Sequence, residues 1–179
     1  MNIRVLTPAD DLVAITEMLH RAYAPLAARG LNYTATYQTP EVTAQRLFRG
    51  HPLAAECDGR ITGTLTIYPP DPQSDAAVYR EAHTYSLGQF GVDPAFKGQG
   101  IGRTLHQAAV EYALSKGAWF LSLDTAAPAH DLIDTYTRWG YTIVERTSWP
   151  GKSYESVLMQ LCLRSQSPNP PFRPRPAGG

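Results

Sequence analysis

The stretch "FKGQGIGRTLHQAAVEYA", residues 96–113, decides the fold of this chain. Three glycines alternate near its start, and apolar residues then recur at the spacing of one helical face. Glycine weakens the interior of a helix. At the start of a helix, however, the first N–H groups have no partner inside the helix, and the conformational freedom of glycine lets them point at an anion. With Lys97 and Arg103 on either side, the stretch predicts a cradle for a diphosphate, and the alternative is a tight turn alone.

The spacing of these glycines differs from two common nucleotide-binding motifs. A P-loop places four residues between its glycines and continues with Gly-Lys-Ser/Thr, whereas Gly102 is followed by Arg103 and Thr104. A Rossmann motif has GxGxxG early in a βαβ unit, whereas "GQGIGR" has another spacing and follows an antiparallel hairpin. Magnesium-nucleotide hydrolysis and hydride transfer are therefore disfavoured, and a generic nucleotide loop stays as an alternative.

The segments before the motif predict two helices and an antiparallel hairpin. Ile3–Leu6 reads as a strand, and "TPAD" then predicts a helix capped by Thr7. Thr39 opens a second helix. Asp58-Gly59 between two β-rich runs predicts a hairpin, and the proline-rich residues 69–80 predict a loop.

The segments around and after the motif predict a parallel crossover. A strand over residues 81–92 is interrupted by Gly88 and Gly91, which indicate a bulge or the close approach of another backbone or a ligand. Strand, helix and the buried run 118–125 in that order predict a right-handed crossover between parallel strands. A helix and two strands are then expected, at residues 130–140, 141–146 and 153–163.

Composition limits the organisation and the partners of the chain. Its 179 residues favour one domain, and its 16 basic and 16 acidic residues give no global field for nucleic acid or an anionic membrane. Cys57 and Cys162 read as reduced core thiols, and no metal-ligand spacing is present in the sequence. Without a signal-like start or a long apolar run, a cytoplasmic protein is expected. Residues 165–179 predict a disordered tail after a domain over residues 1–164.

The motif "KGQGIG", Lys97–Gly102, resembles the pyrophosphate signature Arg/Gln-x-x-Gly-x-Gly/Ala of the GNAT N-acetyltransferase superfamily, with lysine in the first place. The likeness continues through "AWFLSLDT" and "DTYTRWGYTIV" and covers about residues 3–163. It implies an α/β (α+β) fold with a mixed, splayed sheet of about seven strands flanked by about four helices. It also implies a bacterial small-molecule or peptide N-acetyltransferase.

The resemblance implies acetyl-CoA as the cofactor, lying between the fourth and fifth strands. The pantetheine would pair with the backbone of the fourth strand, and the pyrophosphate would lie on the N–H groups of the glycine loop. The residues implied in cofactor binding are Phe90, Gly91, Val92, Lys97, Gly98, Gln99, Gly100, Ile101, Gly102 and Arg103.

For the chemistry, the resemblance implies Tyr136, four residues before Gly140, as the acid that protonates the departing thiolate. A neutral phenol can donate a proton at physiological pH. The alternative is a core tyrosine, since Leu132, Ile133 and Tyr136 share one helical face.

The general base is not assigned. Many members carry a carboxylate on the fourth strand, but here those sites hold Gln89 and Ser86. Glu81, His83 and Asp124 are candidates, as is a water chain that ends in solvent.

The acceptor site is expected near "RGLNYTATYQ", residues 29–38, where the family has its variable substrate loop. Tyr33, Tyr37 and Tyr154 are expected to wall the acceptor pocket, or alternatively to pack the loop against the sheet. The leading hypothesis is acetyl transfer to a primary amine of a small molecule or peptide by direct attack in a ternary complex. The alternative is a non-catalytic acyl-CoA-binding module. A homodimer is compatible with the sequence, and the oligomeric state stays open.

Overall fold

The computed structural model describes residues 1–164, so the predicted tail over 165–179 lies outside the described residues. Its seven strands form one sheet in the order β1-β2-β3-β4-β5-β7-β6. The strands are β1 (Asn2–Val5), β2 (His51–Cys57), β3 (Arg60–Tyr68), β4 (Thr84–Val92), β5 (Phe120–Ala126), β6 (Thr142–Thr147) and β7 (Ser156–Cys162). The helices are α1 (Leu12–Ala27), α2 (Pro40–Phe48), α3 (Ala77–Arg80), α4 (Ile101–Ser115) and α5 (His130–Arg138).

The two N-terminal helices begin with side-chain caps, one as predicted and one not. The Thr39 hydroxyl accepts the N–H of Val42 at 3.4 Å, so the start of α2 is confirmed. The cap of α1 is Asp11 and not Thr7, so that prediction is wrong. Asp10 accounts for the difference, because its carboxylate accepts the Thr7 N–H at 2.7 Å and pairs with Arg4 of β1 at 2.6 Å. These contacts fix residues 7–10 as a turn.

Helix α3 lies in the segment that the sequence predicts as a loop, and it raises the number of helices to five. The carboxylate of Glu145, on β6, accepts the N–H groups of Ala77 at 3.1 Å and of Val78 at 3.0 Å. Val78 also packs against Leu158 of β7. A distant carboxylate and an apolar contact therefore form a helical turn that the local sequence does not show.

The sheet is mixed and splayed, as expected. Its neighbouring strands are antiparallel, with the β2–β3 hairpin at Asp58-Gly59, except that β4 and β5 are parallel. These two strands pair only between residues 84–86 and residues 120–122 and then diverge. Helix α4 makes the crossover between them. The edge of β4 from residue 87 to residue 92 therefore has no partner on β5.

A bulge in β4 reverses the usual alternation of its side chains. Gln89 has φ of +48°, and the register against β3 shifts in the same region, which confirms the predicted bulge. Leu87, Phe90 and Val92 consequently all pack into one core cluster, although strict alternation would place Leu87 opposite the other two.

The main core lies between the sheet and α4. Leu105, Ala109 and Ala113 repeat along one face of α4 and are fully buried. This burial fixes the helix against β2, β3 and β4. Cys57 is half-buried and packs against this core, whereas Cys162 is exposed, so the expectation of a core thiol is wrong for Cys162. Within residues 1–164, every helix is too short or too polar to traverse a bilayer.

Candidate active site

The divergence of β4 and β5 opens a first cleft of about 420 Å³. Its walls are α1, the end of β4 from Phe90 to Val92, the glycine loop with the start of α4, and α5. Almost all of the residues predicted for the cofactor line this cleft, and Gln99, the exception, is exposed within the glycine loop.

The glycine loop presents a row of backbone donors to this cleft. Gly100 is the N-cap of α4 with φ of +76°, a torsion that a residue with a Cβ rarely adopts. The six N–H groups from Gly98 to Arg103 donate to no group within residues 1–164. A Cβ at Gly102 would lie 3.7 Å from Val92, an ordinary contact, so the protein itself leaves room for a side chain there. The glycine therefore preserves space for a ligand, and the donors fit a phosphate.

Buried Asp93 fixes the loop to the end of β4. Its carboxylate lies 2.8 Å from Arg21 of α1 and accepts the N–H of Ala95 at 3.0 Å. Burial alone would raise the pKa of Asp93, but the hydrogen bonds from Arg21 and Ala95 hold the pKa below its usual value. The charged carboxylate therefore connects helix, strand and loop.

The cations around the first cleft fit a polyanion. Lys97 and Arg103 are exposed at the loop, and neither pairs with a carboxylate in residues 1–164. Arg29, by contrast, pairs with Asp131 of α5 at 2.9 Å across the mouth of the cleft. The charge available to a ligand therefore lies beside the phosphate donors.

Tyr23 is a residue that sequence reasoning missed. Its hydroxyl donates to the carbonyl of Phe90 at 2.9 Å, on the strand edge that β5 leaves unpaired. Burial raises the pKa of Tyr23, so the hydroxyl keeps its proton. The signal in the sequence is its position four residues after Leu19 on the apolar face of α1, which by itself indicates only packing.

Tyr136 lies on α5 and lines the first cleft. Its ring packs against Trp139 and Tyr141, with centroids 5.8 and 5.9 Å away. Its hydroxyl makes no hydrogen bond with any group in residues 1–164. Burial, and then the nearby Tyr23, Tyr33 and Asp124, raise the pKa of this phenol. The hydroxyl is thus protonated at neutral pH and available as a donor.

A second cleft, of about 570 Å³, adjoins the first along β4. Residues 86–88 of β4 line the second cleft and residues 90–92 line the first. The other walls of the second cleft are the end of α2, the β3–β4 connection, α3, Asp124 of β5, and Trp149 from the β6–β7 connection. The bulge at Gln89 separates the two clefts.

Of the three candidate bases, the structure places one in a cleft. The Asp124 carboxylate faces the second cleft and accepts hydrogen bonds from Tyr79 and Trp149, both at 3.1 Å, and from Ser156 at 3.4 Å. Glu81 is exposed outside both clefts, and His83 stacks on Trp119 with ring centroids 3.8 Å apart. Asp124 is therefore the one of these three candidates that lines a cleft.

The model of the Acetyltransferase (GNAT) family matches residues 14–141 of the chain. The chain belongs to the GNAT acetyltransferase family. It is 30% identical over 156 residues to the S-(2-succino)cysteine N-acetyltransferase of Bacillus subtilis, covering 86% of this chain and 92% of that protein. It is an acetyl-CoA-dependent N-acetyltransferase, and acetyl-CoA is its cofactor.

Solved structures share the fold of this acetyltransferase. The ribosomal-protein-S18-alanine N-acetyltransferase of Escherichia coli is 17% identical with a TM-score of 0.68, and the match covers 96% of this chain and 99% of that chain. The putative acetyltransferase yncA of Salmonella typhimurium, solved with its cofactor acetyl-CoA, is 21% identical with a TM-score of 0.66 over 99% of both chains.

The three tyrosines predicted for the acceptor line neither cleft of the acetyltransferase. Tyr33 packs against Tyr154 with ring centroids 5.1 Å apart, and its hydroxyl accepts the N–H of Ala126 and contacts Thr125, each at 2.8 Å. Tyr37 is exposed and lies near Lys152. These contacts favour packing for Tyr33 and Tyr154, and a role in acceptor binding stays a prediction for all three.

The two positions of β4 where many GNAT members carry a carboxylate have different surroundings. Ser86 lines the second cleft. Gln89 is buried beside Gln38, with 3.2 Å between their side-chain amides, and with its amide group rotated by 180° its oxygen accepts a hydrogen bond from Arg46 Nε at 3.0 Å. Gln89 therefore belongs to a buried polar network that orients Arg46 at the second cleft.

Proposed function

We propose that this acetyltransferase transfers an acetyl group to the primary amine of a small molecule or peptide by direct attack in a ternary complex. The row of unpartnered N–H groups at the start of α4 carries this proposal, because it opens into the cleft that holds the Tyr136 hydroxyl. The residues proposed to hold the cofactor are the backbone of Phe90, Gly91 and Val92, the loop Gly98–Arg103, and the cation of Lys97.

Tyr136 is proposed to act as the acid. Acetyl-CoA, when bound, supplies an acetyl thioester. The amine nitrogen forms a bond to the acetyl carbon, and the carbon–sulfur bond breaks. Two protons leave the nitrogen of the original ammonium: one is released to solvent, and the other replaces the proton that the Tyr136 hydroxyl gives to sulfur. The raised pKa of Tyr136 keeps that proton in place until sulfur takes it.

The curated relative supports a small acceptor. Its name states an S-substituted cysteine as its substrate, and a cysteine derivative presents one α-amino group. This relative shares 30% identity with the chain, which makes amines of that size the first acceptors to test.

An amine panel tests the proposal. Purified protein is incubated with acetyl-CoA and amino acids, S-substituted cysteines, polyamines or short peptides, and released thiol is measured. We expect thiol release above the no-amine control for at least one acceptor, with acetylated product confirmed by mass spectrometry. If thiol release equals the control for every amine while acetyl-CoA still binds, the protein is a non-catalytic module. Binding of ATP or NAD in preference to acetyl-CoA would overturn the assignment of the loop.

A further inference from the structure

We propose that the second cleft binds the acceptor, and that this acceptor carries a carboxylate as well as its primary amine, as an amino acid does. Arg46 and Arg49 bind the carboxylate, and Asp124 binds the ammonium group. This inference rests on the proposed function and adds to it the chemical class of the acceptor and the residues that select it.

Two guanidinium groups line one wall of the second cleft without a carboxylate partner in residues 1–164. Arg46 Nη1 donates to the side chain of Gln38 at 2.6 Å and Nε faces the amide of Gln89, which fixes the orientation of the guanidinium group and leaves Nη2 for a ligand. Arg49 lies over the ring of Tyr68 at 4.9 Å, and the Tyr68 hydroxyl donates to the carbonyl of Arg46 at 2.8 Å. Oriented arginines bind a planar carboxylate with paired hydrogen bonds.

A fixed carboxylate occupies another wall of the same cleft. Three hydrogen-bond donors hold Asp124, and no cation in residues 1–164 pairs with it. Burial and the Asp124 charge raise the pKa of Tyr79, so this phenol remains a donor to the carboxylate. An oriented carboxylate without a cation is suited to an ammonium group.

The direction of the acceptor follows from the position of Asp124. Asp124 lies on β5, whose end leads into α5 and Tyr136, whereas Arg46 and Arg49 lie at the end of α2. The ammonium end would therefore face the acid, and the carboxylate end would face α2. The volume of about 570 Å³ lies in the usual range for small-molecule sites.

Two further carboxylates, those of Asp71 and Asp75, also line this cleft. Asp71 Oδ1 accepts the N–H of Gln73 at 3.0 Å and shapes the β3–β4 connection. Asp75 is exposed at the rim. Neither carboxylate pairs with Arg46 or Arg49, so both guanidinium groups remain available to a ligand.

The test compares each amino acid that the panel identifies as an acceptor with its α-carboxamide, which keeps the amine and removes the negative charge. We expect kcat/KM to be at least about tenfold higher for the amino acid, as for a charge-assisted hydrogen bond. Arg49→Gln, at an exposed position, should raise KM for the amino acid about tenfold and leave KM for the carboxamide within twofold. Arg46→Gln should act in the same direction.

Asp124→Asn tests the residue proposed to bind the amine end of the acceptor, independently of the arginines proposed to bind its carboxylate end. It should lower kcat/KM about tenfold or more for the amino acid and for the carboxamide, while the Kd for acetyl-CoA stays within twofold. Arg138→Gln, an exposed arginine on α5 outside both clefts, is the matched control and should behave as wild type.

The possible failures of the two proposals are distinguishable. Equal kcat/KM for acid and carboxamide in the wild type, or an equal change for both in Arg49→Gln, would overturn the carboxylate assignment and leave acetyl transfer standing. If no amine is acetylated, calorimetric titration of amino acids into the protein with coenzyme A shows whether the second cleft binds them. If they bind and Arg49→Gln weakens that binding, the acceptor site stands without the proposed activity. If they do not bind, both proposals are overturned.

Discussion

The two clefts that meet on β4 are built from different parts of the polypeptide. The first presents mostly backbone N–H groups from one short loop, whereas the second presents the side chains of Arg46, Asp124, Tyr79 and Trp149 from distant segments. A main-chain site is suited to a constant ligand, because most substitutions leave the backbone donors unchanged. A side-chain site can differ from one protein to the next. We therefore expect the second cleft, and not the first, to determine specificity for the acceptor.

Removing one hydroxyl from the first cleft should have the largest effect on turnover. Tyr136→Phe keeps the ring packing against Trp139 and removes the proposed acid, so we expect kcat to fall about 100-fold or more. The Kd for acetyl-CoA should change less than threefold, because the phosphate donors are backbone groups.

Tyr112→Phe is the control for this change, since Tyr112 loses the same atom but stacks on His51 outside both clefts. Steady-state kinetics and coenzyme titration measure both variants. Wild-type turnover in Tyr136→Phe would make Tyr136 a packing residue and leave the first cleft a binding site alone.

A charged side chain in the glycine loop should break the first cleft and spare the second. Gly100→Glu introduces strain at φ of +76° and places a carboxylate where the anion is expected. We expect the Kd for acetyl-CoA to rise about 100-fold, as like charges and a blocked approach together remove about 3 kcal/mol. Isothermal titration calorimetry gives the value.

Gly117→Glu is the matched control, because Gly117 has φ of +77° and open space around it at the other end of α4. It carries the same strain and the same charge far from the loop. Equal losses of coenzyme affinity in the two variants would mean that backbone strain, and not the phosphate site, explains the result.

The first cleft was accessible to sequence reasoning because its parts are local. The loop from Lys97 to Arg103 joins a strand to a helix, and glycine torsions with helix-end donors follow from spacing alone. The turn at Asp58-Gly59 and the cap at Thr39 are local in the same sense. The start of α1 was missed because Asp10 pairs with Arg4 on another element.

Acidic pH should lower the stability of the fold, because His106 lies on α4, the helix that supports the first cleft. Burial, and then the charge of Arg103, lower the pKa of His106 to about 4, and its ring packs at a tilt against Trp139 of that cleft, with centroids 4.7 Å apart. The unfolded chain binds this proton below about pH 6.5, whereas the folded protein does not until about pH 4. Stability should therefore fall by roughly 2–3 kcal/mol as pH drops through that window.

Urea denaturation at several pH values, in wild type and His106→Gln, measures this contribution. The variant keeps a hydrogen-bonding partner for the Tyr141 hydroxyl, which lies 2.9 Å from His106 Nε2, and removes the titrating imidazole. Its free energy of unfolding should decline less between pH 6.5 and 4 than that of wild type. His83→Gln, at an exposed histidine, should follow wild type, and parallel curves for His106→Gln and wild type would contradict the assignment.

The smallest effect is expected from a substitution that removes a contact supporting the second cleft. Glu145→Ala removes the carboxylate that accepts two N–H groups of α3, which carries Tyr79. The free energy of unfolding should fall by about 1 kcal/mol, as for loss of a helix cap. KM for the amine should rise several-fold, while the Kd for acetyl-CoA stays unchanged.

Glu155→Ala, which removes an exposed ion pair with Arg146, is the control and should change stability by about 0.5 kcal/mol or less. Denaturation and steady-state kinetics give both values. A matching loss of coenzyme affinity in Glu145→Ala would show that the two clefts are not independent.

The second cleft could not be predicted from the sequence because its contacts are long-range. Glu145 and Ala77 are 68 positions apart, and Trp149 and Asp124 are 25 apart. Asp124 in the sequence is one of several acidic residues beside a strand end. Its role emerges only when α3 and the β6–β7 connection bring donors to it.

The bulge at Gln89 also bears on how this protein can change over evolutionary time. Removing or adding one residue near it would turn Phe90 and Val92 to the opposite face, so the length of β4 is constrained. The β3–β4 and β6–β7 connections carry no such constraint on strand register, and of the two clefts they border only the second, the proposed acceptor site. Insertions and substitutions there offer a route to new acceptors, for natural selection or for enzyme design, with the cofactor machinery kept.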